Sequence, residues 1–163
     1  MTMTMKKTLM ILMLLLPIGL LVSCSDNSTT SVPETDCRIT LTFDNVAVIN
    51  GNIYATQDYA LEIESVDFKS PDNSTKGISD VEYTVDGKIA QKAIYSPFVG
   101  RIDTRDLSTG THPLGVHVDL IQSDNSQVPD NMEYNFIVVP TVDDLPAGAE
   151  LGTFTQTFRV DPA

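Results

Sequence analysis

An all-β fold, an antiparallel sandwich of seven to nine strands, is what this 163-residue sequence predicts, and three observations carry the prediction. Apolar and polar residues alternate with period two in stretch after stretch, the signature of strands buried on one face. Asn50-Gly51 and Asp86-Gly87 stand where two of those stretches end, and such pairs accept the left-handed backbone of a two-residue hairpin. After residue 24 no stretch repeats its apolar residues every three to four positions, as a helix buried on one face must.

At the start of the chain, Lys6 and Lys7 precede an apolar run from Leu9 to Val22, and the sequence then reaches Ser23-Cys24. A basic start, a short apolar run and small residues before a cleavage point describe a secretory signal peptide over residues 1–23. The run is 14 residues long and Pro17 interrupts it, whereas a spanning helix needs roughly 20. The tetrad Leu21-Val22-Ser23-Cys24 resembles the lipobox of bacterial lipoproteins. That resemblance implies cleavage before Cys24, a diacylglyceryl group on its sulfur and acylation, commonly by palmitate, of the new amino terminus. A single acyl chain holds a protein only marginally, at about 0.8 kcal/mol per buried methylene, so two or three chains together make a lasting anchor. Ser25, where Asp would favour retention at the inner membrane, implies an outer-membrane lipoprotein; Asp26 resembles the acidic signals of surface export. Ser25 to Thr35 is polar, rich in Ser and Thr and without apolar period, so residues 24–35 read as the lipidated Cys and a flexible tether.

The domain is expected over 36–163. Cys37 opens the first strand, and Ile39, Leu41 and Phe43 point inward from it. Ala47 to Asn52 leads into the Asn50-Gly51 hairpin, with Ile53-Tyr54-Ala55 returning. Tyr59, Leu61 and Ile63 share one parity and Val66 and Phe68 the other, so a bulge or break is expected near Glu64-Ser65. Ser70 to Gly77 reads as a loop. Val81, Tyr83 and Val85 then alternate up to the Asp86-Gly87 turn, and Lys88 to Tyr95 follows as a less buried strand whose lysines suit a sheet edge. From Leu114 the inward set is Leu114, Val116, Val118 and Leu120; this strand and the one ending at Val85 form the middle of the sandwich. Gln122 to Asn131 reads as a second loop, Met132, Tyr134, Phe136 and Val138 as the next inward set, and the segment from Pro140 to Glu150 as a third loop. Phe154, Phe158 and Val160 share the inner face of the last strand, with Thr153, Thr155, Thr157 and Arg159 opposite.

Cleavage before Cys24 leaves 140 residues, one domain's worth, in which eight basic residues face 22 acidic ones for a formal charge of −14. Nucleic acid and anionic lipid head groups need clustered Lys and Arg, so neither is an expected partner. With Cys24 lipidated, Cys37 stands alone and no intrachain disulfide is expected. The two histidines, His112 and His117, fall on opposite parities, so no shared metal site is expected, and His112 reads as a brace for the corner after Gly110. No G-x-S-x-G, H-E-x-x-H or Gly-rich phosphate loop occurs. The Asp- and Asn-rich loops (Asp72-Asn73, Asp103 with Asp106, Asp124-Asn125, Asp130-Asn131, Asp143-Asp144) match no twelve-residue calcium loop and read as turn chemistry. Neither a metal nor a cofactor is predicted. Sugar-binding surfaces present exposed aromatic rings; there is no Trp, and Tyr54 and Tyr95 are the candidates for such a platform.

The stretch V81-E-Y-T-V85-D86-G87, S96-P97-F98 and L107-S-T-G110-T-H112-P-L114 resembles the bacterial immunoglobulin-like domains appended to secreted and surface proteins, and small envelope lipoproteins built on one such domain. It departs from them in lacking Trp and an inter-sheet cysteine pair. The resemblance implies a fold rather than an activity. The expectation is a lipid-anchored envelope protein without catalytic activity, binding a glycan or protein partner or serving as an accessory or structural module. Two alternatives stand beside it: a glycan-binding lipoprotein of a nutrient-uptake system, and a small hydrolase using a carboxylate pair.

Overall fold

A computed structural model of the chain describes residues 37–71 and 74–160. The signal peptide, Cys24 and the tether lie outside the described residues, as do Asp72 and Asn73. Nine strands run in order: β1 (Arg38–Ile49), β2 (Asn52–Thr56), β3 (Leu61–Lys69), β4 (Thr75–Val85), β5 (Lys88–Ala93), β6 (Gly100–Ile102), β7 (Gly110–Gln122), β8 (Gln127–Val139) and β9 (Gly152–Arg159). Among the described residues, helix is limited to two 3-10 turns, Thr104–Asp106 and Val142–Asp144.

The strands form two layers that share β1. One layer runs β9-β1-β3-β6; the other runs β5-β4-β7-β8-β2 and takes in the end of β1. Asn45 makes that sharing possible. Its φ of 59° is a left-handed conformation that Asn tolerates better than most residues. The pairing of β1 with β9 breaks between Phe43 and Val46, and Ala47 to Ile49 pair with β2 instead. Strands that change sheet at a bend in this way make the corners of sandwiches. The order β1-β3-β6 in one layer and β5-β4-β7-β8 in the other is that of an immunoglobulin-like sandwich. Among the described residues all pairings are antiparallel save one, β2 against β8.

The core follows the alternation. Ile39, Leu41, Phe43, Leu61 and Ile63 from one layer meet Val81, Tyr83, Leu114, Val116, Val118 and Phe136 from the other, all fully buried. Burying each such side chain contributes roughly 1.5–3 kcal/mol. Phe43 and Tyr134 join the layers edge to face, with centroids 5.2 Å apart. The expected bulge is in place: Thr42 pairs with Ser65 and Phe43 with Ile63. Glu64 is therefore the extra residue, and it lets Ile63 and Val66 both point inward. Both hairpin turns have paired positive φ values, 52° and 77° at Asn50-Gly51 and 52° and 73° at Asp86-Gly87.

Three expectations need correction. Tyr59 does not join Leu61 and Ile63 inside; it sits in the turn before β3 and is 53 % exposed. The Thr104 hydroxyl lies 2.7 and 2.8 Å from the Thr56 and Tyr59 carbonyl oxygens and shares its one proton between them, holding that segment as a turn and delaying the strand to Leu61. The loop before β4 ends at Ser74, because Thr75 already pairs with Gln122. Likewise β8 begins at Gln127, opposite Ile121. In both cases the strand ends outrun the core, so their sequence is polar and reads as loop.

Candidate functional site

The connection from β5 to β6 carries the most exposed apolar surface among the described residues. Tyr95 is 80 % exposed, and Ile94 and Val99 flank it at 55 % and 48 %. The corner beneath them is held from three directions. Phe98 N–H donates to the Tyr95 carbonyl at 2.8 Å across the cis Ser96-Pro97 bond, the turn type that places a cis proline third. Val66 N–H on β3 donates to the Pro97 carbonyl at 3.0 Å. The buried Tyr83 hydroxyl on β4 donates to the Phe98 carbonyl. Burial without an anion-stabilising partner pushes the Tyr83 phenol above its usual range, so it remains a donor.

Close packing fixes the next step of the chain. A Cβ on Gly100 would come within 2.7–2.9 Å of the Tyr83 ring, so only glycine lets β6 approach it. Gln91 on β5 then ties the two layers together at this margin. Its amide donates to the Val99 carbonyl at 3.0 Å and accepts from Arg101 N–H at 2.8 Å. Arg101 pairs with Glu62 and Lys92 with Asp80. Asp80 is the main reason the Lys92 ammonium is held above its usual range. The result is a fixed apolar corner with a charged rim. Exposed apolar patches rimmed by polar residues mark interaction surfaces.

Tyr54 does not contribute to it. That ring is half-buried on β2, between Ala47 of β1 and Ile137 of β8. Three strands, β8, β7 and β4, separate β2 from β5, which is about 19 Å of sheet at roughly 4.8 Å per strand. The two tyrosines expected as one platform lie at opposite margins. Ile94 and Val99, missed as site residues, share the corner with Tyr95; a signal existed in the unbroken apolar pair Ile94-Tyr95, which strict alternation does not produce.

His112 is buried, and its Nδ1 lies 2.7 Å from an Asp86 carboxylate oxygen while Nε2 lies 2.8 Å from the Ser108 carbonyl. A His–carboxylate pair resembles half of a nucleophilic triad, but the far nitrogen faces a carbonyl where a triad needs a hydroxyl or thiol. Both ring nitrogens meet acceptors, so the doubly protonated ring satisfies the site. The Asp86 hydrogen bond first, and the Ser108 carbonyl second, hold its pKa above the ordinary value. His112 thus braces the β4–β5 turn against the corner before β7. His117 lies on the outer face, 2.6 Å from Asn131 Oδ1 and 3.3 Å from Thr84 Oγ1.

Asp130 and Asn131, expected in a turn, lie instead within β8 opposite Val118 and His117, whereas three other acidic segments engage their own turns. Asp103 pairs with Arg105, whose side chain and N–H hold its carboxyl down at about 2. Asp124 accepts from the Ser126 hydroxyl and N–H, which lower its pKa. Asp144 accepts from Thr141 at the start of the second 3-10 turn. Among the described residues no group of three or more His, Cys, Asp or Glu side chains is placed to hold a metal ion. Cys37 is buried, with Sγ 3.3 Å from Ser70 Oγ.

No family model matches the chain, and no curated protein matches it. Among solved structures, it is similar to the fibronectin(III)-like modules of Clostridium thermocellum CbhA, at 19 % identity and a TM-score of 0.35. The match covers 58 % of this chain and 96 % of that module. A likeness at that level leaves the fold resting on the strand order.

Proposed function

We propose that this chain is a lipid-anchored, non-catalytic binding module of the bacterial envelope, and that the Tyr95 corner is the surface it presents. One observation carries the reading: a large aromatic side chain, four-fifths exposed, stands on backbone fixed by three hydrogen bonds from β3, β4 and the turn itself. Exposing a Tyr on a mobile loop is cheap and uninformative. Holding it still reduces the ordering cost of binding, which is what pre-organised recognition surfaces do. The lipobox at Cys24 supplies the anchor in this reading, through acyl chains rather than a helix; no described helix is long and apolar enough to cross a membrane. The non-catalytic part is supported by His112, whose second nitrogen faces a carbonyl and so has no nucleophile to activate.

Glycan capture is the favoured form of binding, because a fixed, exposed tyrosine ring suits stacking on a pyranose face. A glycan array tests it. Binding by the wild-type chain should be lost with Tyr95→Ala and kept with Tyr54→Ala; equal loss in both variants would remove the corner from the proposal. The anchor is tested separately, by labelling with a palmitate analogue that should vanish in Cys24→Ala.

A further inference from the structure

We infer that β9 is a homodimer seam, through which two copies of this chain join antiparallel about a two-fold axis at Gln156 to make one eight-strand sheet. Among the described residues β9 has one strand neighbour, β1, and its other edge carries no strand. Val160 N–H donates to the Cys37 carbonyl at 2.9 Å, so even-numbered residues turn their backbone groups toward β1. By alternation, the N–H and C=O groups of Thr153, Thr155, Thr157 and Arg159 face the open edge.

The sequence of that edge is its own complement. Phe154-Thr155-Gln156-Thr157-Phe158 reads alike in both directions from Gln156. Antiparallel pairing about Gln156 sets Thr155 opposite the partner's Thr157 and Phe154 opposite the partner's Phe158. Every residue facing the open edge then meets another that faces it, so each such pair exchanges two hydrogen bonds. An axis between two residues would instead oppose edge-facing with β1-facing groups.

Three further features fit a second copy better than a foreign strand. Thr40 and Thr157 already pair hydroxyls at 2.9 Å, and Thr42 and Thr155 at 3.3 Å; self-pairing extends both rows across the seam. Phe154 and Phe158 pack on the core yet remain half-buried, and the same step would cover them. The chain as a whole carries a formal charge of −12, but the one charged residue in β9 is Arg159. It would lie opposite the partner's Thr153, and the equivalent Thr153 of this chain donates to the Asp44 carboxylate at 3.1 Å. Two acidic molecules would thus meet along an edge without acids. An isologous contact of this kind closes at two copies.

Oxidative crosslinking of the full chain in detergent tests the seam. The two-fold places Gln156 opposite its own copy in a non-hydrogen-bonded pair, at a Cα separation of about 4.5 Å, within reach of a disulfide. Gln156→Cys should give on the order of tenfold more dimer than Ala90→Cys on the opposite margin, with the wild type setting the background from Cys37. Thr155→Pro removes an N–H that faces the open edge and spares those bonded to β1, a placement strands tolerate. In the Gln156→Cys chain it should return the dimer to background while the β circular dichroism spectrum stays. Should the proline disturb folding, Thr155→Lys with Thr157→Lys sets ammonium groups against each other at the seam and should do the same. The proposal is overturned by equal crosslinking at positions 156 and 90, by a crosslink that survives the double lysine change, or by a monomeric mass in sedimentation. That last result includes the case in which residues 25–36 of the same chain cover the edge.

Discussion

The margin formed by β5 and β6 is closed by edge lysines, a bulge and side-chain bonds between the layers, whereas at the margin where β8 meets β9 the last strand pairs with β1 without a register shift from Phe154 to Arg159. On the first, β5 carries Lys88 and Lys92, and a bulge at Ala90 breaks its register, since Tyr83 pairs with Gln91 and Thr84 with Ile89. Lysines and bulges are how edge strands avoid pairing with other chains. Gln91 spans the gap between layers, and the Tyr83 hydroxyl has a carbonyl to bond. On the second, β9 runs straight from Phe154 to Arg159 against β1. Tyr134 packs edge-on against Phe158, centroids 6.1 Å apart, but among the described residues its buried hydroxyl meets no hydrogen-bond partner. The two tyrosines are alike in burial and in their raised pKa, both from desolvation. They differ in what the hydroxyl meets, and that difference separates a finished edge from an open one.

Truncating the closed margin should have the largest effect. Tyr83→Ala should destabilise the fold by about 3–5 kcal/mol, the usual cost of deleting a buried aromatic, read as a lowered urea midpoint with an unchanged slope. Gly100→Ala should cost about 1–3 kcal/mol, as overpacking does, because the ring it meets is pinned by its own hydroxyl. The sharpest comparison pairs two identical changes. Tyr83→Phe strands the Phe98 carbonyl and should cost about 1–3 kcal/mol, while Tyr134→Phe removes a hydroxyl with no partner and should be neutral or stabilising by up to about 1 kcal/mol. Equal costs for the two would erase the distinction between the margins.

A pH titration probes the closed margin through His112, which ties Asp86 at the β4–β5 turn to Ser108. Its folded pKa is raised, so its contribution is complete below the unfolded value near 6.5 and is lost as pH rises through the folded value. Unfolding midpoints of the wild type should therefore fall as pH climbs above about 6.5, and His112→Asn should flatten that slope. A slope that survives the substitution would assign it to another group. The smallest expected effect is at Gly115, where a Cβ would meet Thr84 Oγ1 and His117 Nε2. Both belong to half-buried side chains that must give up the hydrogen bond between them to make room, so Gly115→Ala should cost about 0.5–1.5 kcal/mol.

How much was legible follows from where the information sits. The Glu64 bulge could be read because Ile63 and Val66 differ in parity and both are apolar. Tyr59 was misread because its parity matched Leu61 and Ile63, while the hydroxyl that holds its carbonyl in a turn comes from Thr104, 45 positions away. Tyr54 and Tyr95 looked equivalent in sequence; their separation depends on three strands drawn from elsewhere in the chain. Ile94 and Val99 became site residues only because the corner turns them outward beside Tyr95.

Most strands, their inward faces and the Asn-Gly and Asp-Gly turns were set by the sequence alone, because each is a local pattern of side-chain size, polarity and backbone preference. The tertiary structure alone decided which strands became edges, that β1 changes layer at Asn45, that β2 runs parallel to β8 and that one buried tyrosine hydroxyl is bonded and another is not. Those outcomes depend on contacts between residues tens of positions apart, and a short stretch of sequence holds no record of what will be packed against it.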